Sequence, residues 1–199
     1  GTLWGWGFNA YGQLGIGNTN NYSSPMQVGA LTTWSKVTID SSRTLALKTN
    51  GTLWAMGLNN TGQMGDGTTV NKSSPVQIGA LTTWTATGKM GAIKGGELWS
   101  WGNNTSGRLG GGFITYTNYS SPKQVGLETN WSSLSTGGQD SFCTAIKTDG
   151  TLWGWGSNGS GELGIATLGT ARIVTQISSL TTWIKTTSQG SASVHLKTV

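Results

Sequence analysis

Four copies of one phrase run along the 199-residue chain. They begin at Gly1, Gly51, Gly96 and Gly150 and read GTLWGWGFNAYGQLG, GTLWAMGLNNTGQMG, GELWSWGNNTSGRLG and GTLWGWGSNGSGELG. A period of about 50 residues is typical of propellers and solenoids, in which each unit buries its apolar face only by stacking on its neighbours. We therefore expect one continuous array over residues 1–199, with repeats 1–50, 51–95, 96–149 and 150–199.

Each repeat reads as four short β-strands. The first is TLWGWG, in which Trp4 and Trp6 alternate with small or aliphatic residues, the period-two pattern of a strand. The next follows Ser-Ser-Pro, and the missing N–H of a proline such as Pro25 predicts an outer edge strand. Another opens with Trp34, and the last ends at Lys48 and turns through Thr-Asn-Gly into the next repeat, a strong hairpin signal. The pattern predicts an all-β array of four-stranded units, either a propeller or a solenoid.

The Trp pair of the first strand predicts core packing rather than ligand stacking. Its second member is Met56 in the second repeat, and methionine fills apolar gaps but replaces a flat ring poorly as a platform for sugars or bases. In the following loop, N-x-x-G-Q-L-G, Asn and Gly tolerate left-handed backbone, which predicts a structured turn. The apolar residue of that turn is expected to lie buried beneath it: Leu14, Met64, Leu109 and Leu163.

Charge and cysteine content argue against several functions. The net charge is +5, but the 12 basic residues are scattered, which disfavours nucleic-acid binding. One cysteine, Cys143, and one histidine, His195, provide neither a disulfide framework nor a zinc site, and Cys143 reads as a buried structural thiol. No apolar run approaches the roughly 20 residues of a membrane span. We predict no cofactor, no metal site and no membrane span.

The titratable residues do not suggest a catalytic site. His195 lies in the apolar strand VHLK, at the place of Ala46 in the first repeat, and reads as a strand histidine rather than a catalytic base. Asp66 in GDGTT resembles half of a calcium loop but lacks further acidic positions. Asp149 is explained as the turn residue of Thr-Asp-Gly. We therefore predict that the protein is not an enzyme.

Two sets of equivalent positions are candidate binding surfaces. The residue before the loop anchor is polar and differs among the repeats, and such a loop position can tune a partner surface. The lysine that ends the last strand recurs in every repeat and predicts a ring of positive charge on one face, either an anion site or a solubilising feature. The candidate partner-binding residues are Tyr11, Gln13, Gln63, Arg108, Tyr119 and Glu162, and the candidate anion ring is Lys48, Lys94, Lys147 and Lys197.

The phrases GTLWGWGxNxxGQLG, SSPxQV and TLALKTNG resemble the repeat of the regulator of chromosome condensation family over the whole chain. The resemblance implies a β-propeller, commonly of seven four-stranded blades. Four repeats then form either a closed four-bladed ring or, as we favour, part of a larger propeller completed by further repeats or by self-assembly with another chain. No insertion is long enough for the hairpin wedge of the founding member. Where the family strand often begins with His, this chain has Arg43, Lys89, Phe142 and Ala192.

The resemblance also bears on function. The founding member is a nucleotide exchange factor for a small GTPase and docks on chromatin, whereas most relatives bind other proteins. The charge-poor, Trp-, Asn- and Thr-rich texture is similar to microbial or phage versions, which favours an extracellular, cell-surface or virion location over the nucleus. Our leading hypothesis is a non-enzymatic scaffold or interaction module that binds a protein partner, as a structural or surface component of a microbial cell or virion. The alternatives are a carbohydrate-binding, lectin-like propeller and a guanine-nucleotide exchange factor.

Overall fold

The strands that the repeat predicts are present. A computed structural model describes residues 1–80, 82–112, 116–137, 141–189 and 192–198, and this part of the chain contains sixteen β-strands and one short 3-10 helix, Thr105–Gly107. In chain order the strands are β1 (Trp4–Gly7), β2 (Tyr22–Gln27), β3 (Trp34–Ile39), β4 (Arg43–Lys48), β5 (Leu53–Gly57), β6 (Lys72–Gln77), β7 (Trp84–Gly88), β8 (Gly91–Lys94), β9 (Glu97–Gly102), β10 (Tyr119–Gln124), β11 (Trp131–Gly137), β12 (Phe142–Lys147), β13 (Leu152–Asn158), β14 (Gly169–Ser178), β15 (Trp183–Gln189) and β16 (Ala192–Lys197).

These strands form three complete antiparallel sheets and two half-sheets. The sheets β3–β6, β7–β10 and β11–β14 each have four strands in chain order, whereas β1–β2 and β15–β16 have two. Each complete sheet combines the last two strands of one sequence repeat with the first two of the next. The blades are therefore offset by half a repeat from the phrase in the sequence. The predicted hairpins at Thr-Asn-Gly and Thr-Asp-Gly join β4 to β5 and β12 to β13.

Strand order determines which edge of each blade is outermost. β6 and β10, which carry Ser-Ser-Pro, lie at the edges of their sheets, as their prolines predicted. The strands β3, β7, β11 and β15 lie at the opposite edge and contact one another from blade to blade. Between the first two of these strands, the hydroxyls of Thr38 and Thr87 form a hydrogen bond of 2.8 Å. These strands line the inner side of an arc of blades.

Adjacent blades meet at the second member of each Trp pair. Met56, Trp101 and Trp155 are at most 1% exposed, and each packs against the last glycine of the N-x-x-G-Q-L-G turn in the preceding repeat. A Cβ atom on Gly65 would lie only 2.8 Å from Trp101 Nε1, so no side chain fits between them. The prediction that the Trp pairs form core is confirmed at these junctions. The three contacts are Gly15–Met56, Gly65–Trp101 and Gly110–Trp155.

A hydrogen bond accompanies the packing at two of these junctions. Trp101 Nε1 donates to the Gln63 carbonyl at 3.1 Å, and Trp155 Nε1 donates to the Arg108 carbonyl at 2.9 Å. Both carbonyls belong to the N-x-x-G-Q-L-G turn of the preceding repeat. Because a buried donor without an acceptor costs about 1–3 kcal/mol, the turn must keep its shape for the blades to pack.

Replacement of Trp101 by alanine tests the importance of the junction. We expect Trp101→Ala to lower the free energy of unfolding by about 3–5 kcal/mol, because it leaves a cavity and removes the hydrogen bond to Gln63. Chemical denaturation followed by tryptophan fluorescence and circular dichroism measures the change. Leu127→Ala is the control: its side chain is 91% exposed, and the expected change is within about 0.5 kcal/mol. Equal losses of stability from the two substitutions would contradict the conclusion that Trp101 stabilises the junction between blades.

Candidate functional site

Strand direction places the connections of the blades on two faces. The Trp strands end in the long loops that carry N-x-x-G-Q-L-G, so these loops share one face, which we name the long-loop face. The lysine strands end in hairpin turns at the opposite face, the lysine face. The long loops span 8–21, 58–71, 103–118, of which 113–115 lie outside the described residues, and 159–168, and the hairpin turns span 49–52, 95–96 and 148–151.

A buried asparagine organises each long loop. Asn59 is fully buried; its Oδ1 accepts the N–H of Met64 at 2.9 Å, and its Nδ2 donates to the Thr68 carbonyl at 3.0 Å. Its own N–H donates to Oδ1 of Asn71 at 2.8 Å, which closes the base of the loop. The loop is therefore held by side-chain to backbone bonds that are shielded from water. The equivalent buried residues are Asn9, Asn104 and Asn158.

The backbone of these turns differs from the expectation in one respect. Their left-handed positions are glycines, such as Gly62 with a φ of 76° and Gly65 with a φ of 82°. Among the non-glycine residues that the structure describes, only Ser106 has a positive φ, of 62°. The asparagines thus act through hydrogen bonds and not through a left-handed conformation.

The variable polar position of the loop is buried in three of the four repeats. Gln13, Gln63 and Glu162 are at most 9% exposed. A side-chain oxygen of each accepts the N–H two residues earlier, as in the 2.7 Å bond from Thr61 to Gln63. Gln and Glu share this acceptor role, which explains why both occur there. Their predicted role in partner binding stays a prediction, and little of their surface is free for it. The apolar anchors beside this position are buried as predicted: Leu14, Met64, Leu109 and Leu163.

The other three predicted residues differ in exposure. Arg108 occupies the variable position in the third repeat. Unlike the Gln and Glu side chains, it acts as a donor: its Nε donates to the Thr105 carbonyl at 2.7 Å. It is half-buried, as is Tyr119, which packs against an apolar cluster. Tyr11 is exposed and meets Phe8 edge to face, with the ring centroids 6.2 Å apart. Of the six predicted partner-binding residues, only Tyr11 presents an exposed side chain.

Apart from Tyr11, the long loops expose different side chains from those predicted. Val70 and Tyr116 project from two of these loops, and the guanidinium carbon of Arg172 lies 4.9 Å from the Tyr116 ring centroid. Motif alignment misses these residues because the loops differ in length beyond the shared turn. Their only sequence signal is an apolar residue in an otherwise polar loop. We name this set the apolar loop rim: Phe8, Tyr11, Val70, Tyr116 and Leu168, exposed by 57, 38, 62, 53 and 73%.

Three of the four lysines of the predicted anion ring lie against tryptophans. Lys48 Nζ is 3.5 Å from the centroid of the Trp54 ring and 4.9 Å from that of Trp34, and the two rings meet edge to face. A cation held over an indole in this way contributes about 0.5–2 kcal/mol. The equivalent contacts are Lys94 over Trp99 at 4.5 Å and Lys147 over Trp153 at 3.9 Å, whereas Lys197 in the C-terminal half-sheet is exposed.

The ionic partners of these lysines differ from blade to blade. Lys94 Nζ lies 2.9 Å from Glu97 Oε2, and Lys147 Nζ lies 2.7 Å from Glu128 Oε1. Lys48 has no carboxylate within salt-bridge distance in the part of the chain that the structure describes, and burial lowers its pKa. An anion would have to draw these ammonium groups away from the indoles. Anion binding by the ring therefore stays a prediction.

The remaining reactive residues have structural contacts. Cys143 is a buried thiol, as predicted. Burial alone would raise the pKa of Asp66, but hydrogen bonds from Thr68 and Asn59 and the charge of Lys72 lower it overall. Over the described ranges, no group of three or more His, Cys, Asp or Glu side chains gathers as a metal site. In the same ranges, no helix has the length and apolar character needed to cross a membrane.

We expect Asn59→Ala to destabilise the second long loop. The substitution leaves the buried N–H of Met64 without its acceptor, which predicts a loss of about 1–3 kcal/mol in the free energy of unfolding. Chemical denaturation measures the loss. The matched control is Asn20→Ala in the first long loop, where the side chain is exposed and the expected change is within about 0.5 kcal/mol. A neutral Asn59→Ala would show that the loop does not depend on this residue.

His195 gives the fold a dependence on pH. Its ring is half-buried, edge-on to Trp183 with the centroids 5.9 Å apart, and burial lowers its pKa. The unfolded chain, with a histidine pKa near 6.5, therefore binds the proton more readily, so stability falls as the pH drops below about 6.5. We expect His195→Ala, which places there the residue found at position 46, to flatten the fall in thermal midpoint between about pH 7 and pH 5.5. If His195→Ala left the dependence of the thermal midpoint on pH unchanged, His195 would not be its cause.

The comparisons with known proteins agree with this architecture. The family described as Regulator of chromosome condensation (RCC1) repeat matches residues 1–47, 50–87 and 95–144. The chain is similar to Prp20p from Saccharomyces cerevisiae, whose structure was described with its binding properties to Gsp1p and histones: the identity is 19%, the TM-score is 0.81, and the match covers 100% of this chain and 52% of that one.

Two further solved structures are similar. The complex of Kap60 with yeast RCC1 (Prp20) matches at 18% identity and a TM-score of 0.75 over 94% of this chain and 48% of that one. Human WBSCR16 matches at 16% identity and a TM-score of 0.60 over 98% of this chain and 67% of that one. The chain thus spans about half the length of the yeast protein and has its fold. Because the repeat matches extend over more than half of its residues, the chain belongs to the regulator of chromosome condensation repeat family, and its blades are those of a β-propeller.

Proposed function

We propose that this chain is a non-enzymatic interaction segment of a β-propeller that binds a protein partner through the apolar loop rim. The observation that carries the proposal is the exposure, on one face, of apolar or aromatic side chains from all four long loops. Exposed apolar side chains grouped on one face are a feature of protein interaction sites, and tyrosine is enriched among the residues that contribute most to binding.

The loops that carry the rim are well suited to recognition. The turn at the start of each loop is held by a buried asparagine and a buried apolar anchor, so the shape of that turn is set before a partner arrives. A preorganised surface loses less conformational entropy on binding than a flexible one. Functional residues are also more common on loops that a rigid scaffold positions. The rim therefore combines exposed apolar side chains with a fixed base.

The family comparison supports an interaction role in general terms. The similar yeast structures were described with Gsp1p, histones and Kap60 as binding partners of that protein. Those partners belong to the yeast protein. For this chain we propose protein binding through the apolar loop rim. We further propose, from the charge-poor composition, that the partner belongs to a microbial cell surface or virion assembly.

The packing of the tryptophans weakens the carbohydrate-binding alternative. A sugar platform needs a free aromatic face, whereas Trp54, Trp99 and Trp153 are half-buried beneath lysine side chains. Guanine-nucleotide exchange is the second candidate function, favoured by the likeness to Prp20p, whose binding to Gsp1p is described. Release of a fluorescent guanine nucleotide from a small GTPase, with and without this chain, tests it directly. Unchanged release would exclude exchange on that GTPase.

A pair of double variants tests the rim. Val70→Asp/Leu168→Asp places two charges on the long-loop face, and Leu127→Asp/Leu180→Asp places the same two charges on the lysine face, at side chains that are also exposed. We expect the first pair to lower partner capture at least tenfold, because a charge opposite an apolar patch must lose its hydration. Cross-linked capture from a lysate of the source cells, quantified by mass spectrometry, measures the difference.

Both double variants add the same charge, so a difference in partner capture between them shows which face binds the partner. Loss of capture with the lysine-face pair and retention with the long-loop pair would overturn the proposed site. Thermal unfolding of both variants verifies that each remains folded, as their exposed positions predict.

A further inference from the structure

Lys48 is a buried cation without the carboxylate that its equivalents have. Its side chain is 8% exposed, against 5% for Lys147, and burial lowers its pKa. Lys94 pairs with Glu97, and Lys147 pairs with Glu128. Among the residues that the structure describes, Lys48 has no such ion pair. The cost of burying its ammonium group is therefore offset by two indole rings and by no opposite charge.

Two sequence positions explain why Lys48 lacks an ion pair. The carboxylates beside its equivalents are Glu128, three residues before the tryptophan that opens β11, and Glu97, two residues before the first tryptophan of β9. Beside Lys48 the same two positions are Leu31 and Thr52, which carry no charge. The difference between the blades is thus a difference between side chains at equivalent positions, all of them among the described residues.

An open pocket lies beside the rings that Lys48 contacts. It has a volume of about 370 Å³ and lies where the connection from β2 to β3 meets the sheet β3–β6. A volume of this size is within the range of small-molecule sites. We name it the Lys48 pocket, and its apolar walls are Val28, Leu31, Trp34, Trp54 and Pro75.

The equivalent pocket two repeats later already contains a carboxylate. That pocket has a volume of about 280 Å³, and Glu128 is part of its lining. Glu128 Oε1 lies 2.7 Å from Lys147 Nζ, while the same Nζ stays 3.9 Å from the Trp153 ring centroid. An anion shared by several lysines would draw them off their indoles, but a single carboxylate in this pocket leaves the lysine in place. The residues Val125, Glu128, Trp131 and Trp153 correspond to Val28, Leu31, Trp34 and Trp54.

The walls of the Lys48 pocket are all among the described residues. The pocket of Glu128 lies between the sheets β7–β10 and β11–β14, both of which have four strands. None of its lining residues belongs to β7 or β8, the two strands that have no counterpart in the half-sheet β1–β2. The shape of such a pocket therefore depends on the outer strands of one blade and on the blade that follows, and both are present around Lys48.

We propose that the Lys48 pocket binds a small carboxylic acid with an apolar body, whose carboxylate pairs with Lys48 Nζ as that of Glu128 pairs with Lys147 Nζ. The carboxylate supplies the opposite charge that the buried ammonium lacks, in a charge-assisted hydrogen bond. The apolar body packs against Val28, Trp34 and Trp54, which removes apolar surface from water. Lys48 ends β4 at the lysine face, so this site is separate from the apolar loop rim and does not depend on the proposed protein partner.

Titration of the 199-residue chain with hexanoate, between about 0.1 and 20 mM, tests the proposal. We expect saturable binding that shifts the indole N–H signals of Trp34 and Trp54 in two-dimensional NMR spectra more than those of the other tryptophans. Hexanamide has the same length but no charge, and it should bind about tenfold more weakly or less. Lys48→Met keeps the apolar stem and removes the ammonium group, and it should weaken hexanoate binding by a similar factor.

Exchange of the residues at the carboxylate position provides matched variants. Leu31→Glu reproduces the arrangement of Glu128, so its own carboxylate should compete for Lys48 and lower hexanoate affinity about tenfold or more. The control is Leu180→Glu, which adds the same charge at the same position of the fourth repeat, where the leucine is also 48% exposed. Hexanoate affinity should be unchanged in this control. Glu128→Leu makes the reverse exchange and should create a second hexanoate site, with shifts at Trp131 and Trp153.

Three results would overturn the proposal. The first is the absence of saturable hexanoate binding by the unaltered chain, and the second is equal affinity for hexanamide, which would make Lys48 irrelevant. The third is unchanged hexanoate affinity in both Leu31→Glu and Lys48→Met, which would place the ligand elsewhere. A blocked Leu-Glu-Leu peptide distinguishes the source of the carboxylate. If it binds about tenfold more tightly than hexanoate, the site recognises an acidic protein side chain and the small-acid assignment is wrong.

Discussion

The contact between a large apolar side chain and the loop glycine of the preceding blade determines the rest of this structure. At each internal junction, Met56, Trp101 or Trp155 lies directly on a glycine that has no room for a Cβ atom. The same side chain brings buried apolar surface and, when it is tryptophan, an N–H that needs an acceptor. Packing and hydrogen bonding therefore favour one geometry between neighbouring blades, and repetition of that geometry produces the arc.

The junction also links the core to the surface that we propose for binding. The carbonyl that accepts the indole belongs to the turn at the start of a long loop, and a buried asparagine holds that turn from within. The second and third long loops are therefore anchored to the blade interfaces. The varied side chains of the apolar loop rim lie on turns that share a buried asparagine and a buried apolar anchor, an arrangement in which recognition can change without loss of the fold.

Repetition allowed much of the fold to be predicted, because each position could be compared with three equivalents. Met at position 56 indicated a packing role for its Trp counterparts, and the burial of Trp101 and Trp155 confirms that role at their junctions, whereas Trp6 is exposed. The Ser-Ser-Pro edge strands and the lysine-to-Trp hairpins were predicted from proline and Asn-Gly chemistry and are present. The site was predicted less well. A polar residue that varies among repeats suggests surface, yet Gln13, Gln63 and Glu162 vary because Gln and Glu are equivalent acceptors for a backbone N–H of the turn.

The sequence by itself determined the strands, their pairing into hairpins and the family, because these follow from local periodicity and from the recurrence of one phrase. Only the tertiary structure decided how the strands are divided among blades, since a hairpin belongs equally to the repeat before it and the repeat after it. It also decided which polar side chains point inward, such as Gln13, Gln63 and Glu162. Those outcomes depend on contacts between residues about one repeat apart, which no local pattern specifies.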